Sequence, residues 1–577
     1  DALPVDQAKE KPASSFTHDM HQKVLRSLPF DDQRCFENAS KGFIATIDPL
    51  TIKRPDGSPV LDLSKFDFLN NEAPPTVNPS LWRQAQLTAQ HTGLFEVVEG
   101  IYQVRAFDIS NMTLIQGETG WIIVDPLTSS ESSRAALGLA NEKIGHRDVV
   151  AVIHTHSHAD HFAGVFGVIS PEQAEKGSIT IVAPEHFVDE SLSENVIAGK
   201  AMGRRATYMY GNLLEPSETG FVSTGLGAAL SLGTTGFAVP NDTIKETGET
   251  RIIDGIEFEF QMTPGTEAPA EFVFFLPQFS ALCMSEITSH HLHNVYTPRG
   301  AQVRDALAWS EQINESIDRY GEQLTVQFAS HHWPIWGQTE AIDYLEKQRD
   351  LYKYIHDQTM RLANKGFNKE EIAEQIKLPD VLGQEFFNRD YYGTVHHNSR
   401  AVYVKYLGYF DGNPATLYPL PRAESSEKYV EYMGGIEAMY RKALEDFNKG
   451  EYRWVAELLN HSVSVEPEHQ ASRSLLADTY EQLGYQSESA PWRNLYLCGA
   501  KELRHGVPAG SIYSASEGTI RGMPLDNLFK AMAVRLIPAK VDGLDLAINL
   551  NFTDLTDQFR FCLLYTSDAA DEEDSVD

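Results

Sequence analysis

The chain has 577 residues, 42% of them hydrophobic and 10% aromatic, which is an ordinary folded composition spread over too much length for one core; about three domains are expected. A formal net charge of −33 argues against nucleic acid as a partner, though an anionic small molecule could still be held locally by arginine or metal. No apolar run reaches the roughly 18–20 residues of a membrane helix, and the scattered cysteines Cys35, Cys283, Cys498 and Cys562 show no zinc or redox spacing and read as free core thiols.

The chain opens at Asp1 without Met, which fits either a removed signal peptide or a fragment. Residues 1–90 are polar and Pro-rich and read as an N-terminal arm wrapping the next domain. From there Leu94–Val98, Ile101–Val104, Met112–Ile115 and Trp121–Val124 read as strands broken by glycine. Ser130–Lys143 reads as a helix, followed by strands Val149–Ile153 and Ile179–Val182. This alternation predicts an α/β fold, an αββα sandwich over residues 91–337. The Gly-rich stretch Gly225–Gly236 lacks the Gly-Lys-Ser/Thr ending of a phosphate loop and reads as a substrate-side loop.

Further on, Ile256–Met262, Phe272–Phe275, Ala281–Met284 and Leu324–Phe328 read as strands, and Gln302–Tyr320 as a helix. Residues 338–510 turn helical. Ala443–Phe447, Trp454–Leu459 and Ala471–Leu483 carry apolar groups three and four apart. This region resembles a tetratricopeptide-type helix pair, too few units to stand as an array, so an all-α dimerisation domain is expected. In residues 511–561, Pro524–Leu536 reads as a helix and Leu544–Phe552 as a strand. The tail 562–577, beginning Cys562-Leu563-Leu564-Tyr565-Thr566-Ser567-Asp568, resembles translated sequencing-adapter read-through and is expected to be an artefact.

The chemistry concentrates in His154-Thr155-His156-Ser157-His158-Ala159-Asp160-His161, directly after the strand Val149–Ile153. His156 and His158, two apart on extended chain, point the same way and can grip one metal. Asp160 and His161 need a turn and can face a second. Imidazole and carboxylate suit zinc, with manganese or iron also possible from the donor set. His154 lies outside the frame and reads as a structural residue. The frame His156-x-His158-x-Asp160-His161 is the signature of the metallo-β-lactamase superfamily. Further candidate ligands stand at the ends of apolar strands: Glu267 in a Pro/Gly turn, Glu286 after Ala281–Met284, and His331 after Thr325–Phe328.

Together these motifs resemble the alkylsulfatases of that superfamily, from about residue 20 to 555. The resemblance rests on His156-Ser157-His158-Ala159-Asp160-His161-Phe162-Ala163-Gly164, Thr263-Pro264-Gly265-Thr266-Glu267-Ala268-Pro269, Cys283-Met-x-Glu286, Tyr296-Thr-x-Arg299 and Ser330-His331-His332-Trp333-Pro334. It implies two zinc ions per chain. His156, His158 and Glu267 would hold one, Asp160, His161 and His331 the other, and Glu286 would bridge them. Arg299 and Asn294 would hold the sulfate. His397, in Tyr392-Gly393-Thr394-Val395-His396-His397-Asn398, would be the general acid for the leaving alcohol.

The family also implies a homodimer through the helical domain, a periplasmic or secreted location, and a C-terminal α+β domain resembling sterol-carrier proteins. Residues 521–561 match only the beginning of that domain. The expected activity is hydrolysis of alkyl sulfate esters such as dodecyl sulfate. Competing readings are a lactamase, thioesterase or glyoxalase-like hydrolase on the same fold, or a non-catalytic lipid-binding scaffold.

Overall fold

A computed structural model describes residues 9–508, 517–541, 546–553 and 558–563. It divides into two compact units, Asp1–Met523 and Pro524–Asp577. In the first unit an eight-stranded sheet runs in chain order: β1 (Phe43–Ala45), β2 (Gly93–Val98), β3 (Ile101–Arg105), β4 (Met112–Gln116), β5 (Trp121–Val124), β6 (Val149–Ile153), β7 (Thr180–Pro184) and β8 (Asp242–Ile244). Its first half is an antiparallel meander, while β5, β6, β7 and β8 pair parallel. Parallel pairing requires a crossover. The helix α1 (Ser130–Lys143), capped by Ser129, supplies it between β5 and β6. The helix α2 (Gly199–Met209) follows β7.

A second, six-stranded sheet comprises β9 (Thr250–Ile253), β10 (Ile256–Met262), β11 (Phe272–Leu276), β12 (Ala281–Cys283), β13 (Val326–Phe328) and β14 (Ile335–Trp336). Only β12 and β13 pair parallel here, and the helix α3 (Ala306–Tyr320) crosses between them. This helix starts later than the sequence pattern suggests. Asp305 Oδ1 accepts from the Leu307 and Ala308 amides and so marks the N-terminus.

The two-residue period of the strands explains the layering. On β5, Ile122 and Val124 join Phe258, Phe260, Phe272 and Phe274 between the sheets. Trp121 and Ile123 face the opposite way and join Ala136, Leu139 and Ala140 of α1. On β11, Val273 and Phe275 likewise meet Trp309 and Ile313 of α3. Helix, sheet, sheet and helix are thus stacked in that order, an α/β sandwich.

A helical region follows, with α4 (Gln338–Ala363), α5 (Val395–Leu407), α6 (Ile436–Phe447), α7 (Tyr452–Val465), α8 (Gln470–Gln486) and α9 (Ala490–His505). Met439, Ala443, Val455, Leu459 and Leu476 form a separate core shared by α6, α7 and α8. Trp454 is solvent-exposed rather than part of it. The N-terminal arm reaches beyond the sandwich. The Ser14 amide donates to Gln482 Oε1, and the His21 ring pairs with the Tyr485 carbonyl, both partners on α8.

The second unit contains a helix Leu525–Ala533 and an antiparallel hairpin of Leu546–Asn551 with Gln558–Leu563. Most of the expected artefact tail, residues 564–577, lies outside the described residues.

Phe274 is fully buried between the sheets. Its replacement by Ala is expected to cost about 3–5 kcal/mol of unfolding free energy. Denaturant titration measures this, and a loss under about 1 kcal/mol would mean the inter-sheet layer is loosely packed.

Candidate metal centre

The edge of the sandwich collects polar residues from strand ends of both sheets. The turn after β6 brings His156, His158, Asp160 and His161. The turn after β10 brings Glu267, the end of β12 brings Glu286, and the end of β13 brings His331. All but Asp160 are buried.

Among the described residues three groups of donors converge: one is Asp125, His156 and His161, and Glu286 belongs to both of the others. In one, ligand atoms of His156, His158, Glu267 and Glu286 all lie within 4.8 Å of one another; in the other, those of Asp160, His161, Glu286 and His331 do. Glu286 Oε2 stands 3.0 Å from His156 Nε2, 3.0 Å from His161 Nε2 and 3.2 Å from His331 Nε2. Glu267 Oε2 is 2.8 Å from His158 Nδ1 and 3.2 Å from His156 Nε2. Asp160 Oδ2 is 3.0 Å from His161 Nε2.

His156 Nε2, Asp160 Oδ2 and Glu267 Oε2 are buried, close to their neighbours, and lack hydrogen-bond geometry toward any of them. Buried polar atoms are ordinarily paired. Atoms that converge without pairing fit a cation between them. The outer ring nitrogens tell the same story. His161 Nδ1 donates to Asp125 Oδ2 at 2.8 Å, His331 Nδ1 to the Ile109 carbonyl at 2.8 Å, and His156 Nδ1 meets Thr155 Oγ1 at 2.9 Å. Each such contact aims Nε2 inward, as ligating histidines require. The residues therefore fit a metal.

Electrostatics match. Burial alone would raise the Glu286 pKa, but His331, His156, His161 and His293 hold it well below the ordinary carboxylate value. Burial lowers the His161 pKa, yet Asp160 and Asp125 outweigh it and raise it well above the usual range. Glu271 goes the other way. Burial and then the charges of Glu267 and Glu286 push its carboxyl well above its ordinary value.

A cleft of about 110 Å³ opens onto this cluster. Its ionisable lining includes His158, Asp160, Glu267, Glu286, Arg299 and Arg304. Its walls include Met202 and Ala206 of α2, Leu226 and Leu230 of the Gly-rich stretch, and Ile109. Arg299 Nη1 donates to the Gly300 carbonyl at 2.9 Å and lies 3.3 Å from Glu194 Oε2.

Two residues expected at the site are placed elsewhere. Asn294 is buried but does not line the cleft; its carbonyl accepts from Arg304. His397 does not line it either. It begins α5, and its Nδ1 accepts from Trp492 Nε1 at 3.3 Å. Burial, then Arg400 and His396, lower its pKa to about 3. His154 is buried, its Nδ1 against the His161 carbonyl at 3.0 Å and its ring stacked on Phe187, which fits a structural residue.

Three residues were not read from the sequence. Asp125, at the end of β5, accepts from the Thr155 amide and hydroxyl, from Ser330 Oγ and from His161. Three of these four bonds fall on Oδ2, which fixes the carboxylate against His161 as an orienting partner, and with His156 and His161 it forms the third donor group. The strand-end logic that found Glu286 would have found it at Val124-Asp125. Arg304 donates to Glu267 Oε1 at 2.6 Å and to the Asn294 carbonyl. His293 Nε2 lies 2.9 Å from Glu286 Oε1. Nothing in local sequence distinguishes these last two from core or surface residues.

Two helix-covered sheets with a His/Asp/Glu cluster at their common edge define a metallo-β-lactamase-fold metal-site protein. Residues 105–352 match the family model for the metallo-beta-lactamase superfamily, residues 368–506 that for alkyl sulfatase dimerisation, and residues 513–564 that for the alkyl sulfatase C-terminal region. A linear primary-alkylsulfatase of Pseudomonas sp. is 49% identical over 95% of this chain and 82% of its own length. An (R)-specific secondary-alkylsulfatase of Pseudomonas sp. is 42% identical over 96% of this chain and 83% of its own. The solved stereoselective inverting sec-alkylsulfatase Pisa1 from Pseudomonas sp. superposes with a TM-score of 0.94 at 41% identity, covering 96% of this chain and 88% of that one. The chain belongs to the alkylsulfatase family and is an enzyme of that family.

Asp125→Ala should lower metal affinity about 10–100-fold without removing a ligand. Competition with a fluorescent chelator measures this; unchanged affinity would rule out the orienting role.

Proposed function

We propose that this enzyme hydrolyses alkyl sulfate esters, such as dodecyl sulfate, to alcohol and sulfate. We propose further that it uses two zinc ions per chain, held by His156, His158 and Glu267 and by Asp160, His161 and His331, with Glu286 shared. The observation that carries the reading is the cleft itself, whose lining combines the ligand cluster and Arg299 with apolar side chains. That lining suits a molecule with an alkyl chain at one end and an anion at the other. A lactam or thioester would find less use for an arginine among apolar side chains.

When bound there, zinc supplies Lewis acidity and a nucleophile available at neutral pH. The chain's own residues do the rest. Arg299 presents two parallel N–H groups to the sulfate oxygens. Arg304 holds Glu267 in place through its 2.6 Å bond. Leu226, Leu230, Met202 and Ala206 take the alkyl chain and exclude water. Each methylene buried this way contributes about 0.8 kcal/mol.

The homodimer expected for the helical region is supported by its match to the dimerisation model and by its surface. Tyr409, Tyr418 and Tyr432 are 88%, 97% and 87% exposed, with Leu407, Leu417 and Leu420 beside them in sequence and exposed too. A monomer rarely leaves so many large apolar groups in water. We assign this 406–432 stretch to the contact with a second copy. Tyr418→Asp combined with Leu417→Asp should shift sedimentation toward monomer; an unchanged dimer would move the contact elsewhere.

For the activity, purified enzyme should release sulfate and dodecanol from dodecyl sulfate. A chelator should abolish turnover and zinc restore it. Arg299→Ala should raise KM at least about tenfold, the scale of losing a charge-assisted hydrogen bond. Turnover of a cephalosporin or thioester, with none of dodecyl sulfate, would overturn the reading.

A further inference from the structure

Glu194 is a carboxylate in a place where an anion is meant to bind. It sits in the π-helical turn Ser193–Ile197 that leads into α2, and it lines the cleft. Its Oε2 lies 3.3 Å from Arg299 Nη1 and 3.5 Å from His158 Nε2. Its Oε1 is buried without a hydrogen-bond partner among the described residues. The Arg299 guanidinium against its Oε2 pairs it as a carboxylate. A carboxylate with one buried oxygen unpaired is a cost to the fold. Stability alone does not explain it. Nor does anion affinity, since Glu194 cancels part of the Arg299 charge.

We propose that Glu194 makes the site selective for singly charged sulfate esters by repelling doubly charged phosphate esters. The inference rests on the alkyl sulfate reading above. Sulfate and phosphate monoesters have nearly the same shape, so contacts alone separate them poorly. They differ in charge: a sulfate ester carries one negative charge, and a phosphate ester close to two once pH exceeds its second pKa near 6. A metal-rich site with two arginines would by itself favour the dianion. A fixed negative group beside Arg299 reverses that preference, because specificity is gained by penalising the wrong partner as well as by holding the right one.

The test measures competitive inhibition of alkyl sulfate hydrolysis at pH 8 by octyl sulfonate, a monoanion, and octyl phosphate, a dianion there. In the wild-type enzyme the phosphate should bind at least about tenfold more weakly than the sulfonate. In Glu194→Gln that gap should shrink at least about tenfold, with metal content and melting temperature unchanged. A gap that stays the same in a folded Glu194→Gln enzyme would overturn the proposal, leaving Glu194 as a holder of Arg299. If the variant does not fold, the wild-type ratio decides: phosphate binding as tightly as sulfonate would overturn it. A wild-type enzyme without activity on alkyl sulfates would instead overturn the functional reading on which the proposal stands.

Discussion

The structure depends on one electrostatic constraint: Asp160, Glu267 and Glu286 are brought together at the edge of a sandwich, two of them almost wholly buried. Two carboxylates 4 Å apart repel by about 4 kcal/mol at an effective dielectric of 20. Five imidazoles and two guanidiniums surround them, yet several facing atoms remain unpaired. A cation between the donors would satisfy those atoms without protonating the carboxylates. Arg304 on Glu267 and Asp125 on His161 belong to the same balance, each placing an opposite charge behind a ligand.

The fold answers this constraint by geometry. Every ligand stands at the end of a strand or in the turn after one, so its backbone is fixed by pairing within a sheet. The aromatic layer of Phe258, Phe260, Phe272 and Phe274 between the sheets holds the two edges in register. Other side chains line the cleft from elsewhere, on α2, its preceding turn and the Gly-rich stretch. Chemistry is held by the rigid part, and substrate shape is set by the part more open to change.

Much of this was legible in the sequence because strands with two buried faces read as continuous apolar runs. β5 and β6 match their predicted bounds residue for residue. The ligand motif follows β6 immediately, and Glu286 and His331 follow their strands in the same way. Short edge strands were not legible. β8, β9 and β14 carry too few apolar residues to stand out from loops, and Ile252 of β9 faces solvent. The surroundings of His397 were not legible either: sequence shows a histidine in a motif, but not that Trp492, far along the chain, donates to its Nδ1. Arg304 and Glu194 escaped because a charged residue beside a site looks like any surface charge until the fold buries it.

The central claim is that two metal ions sit between these seven residues and share Glu286. The most direct measurement is a crystal structure of the zinc-loaded enzyme with anomalous data on both sides of the zinc absorption edge. Two anomalous peaks are expected, one within bonding distance of His156, His158 and Glu267, the other within bonding distance of Asp160, His161 and His331. The Glu286 carboxylate should contact both. A single peak, or none between these residues at full zinc loading, would contradict the account.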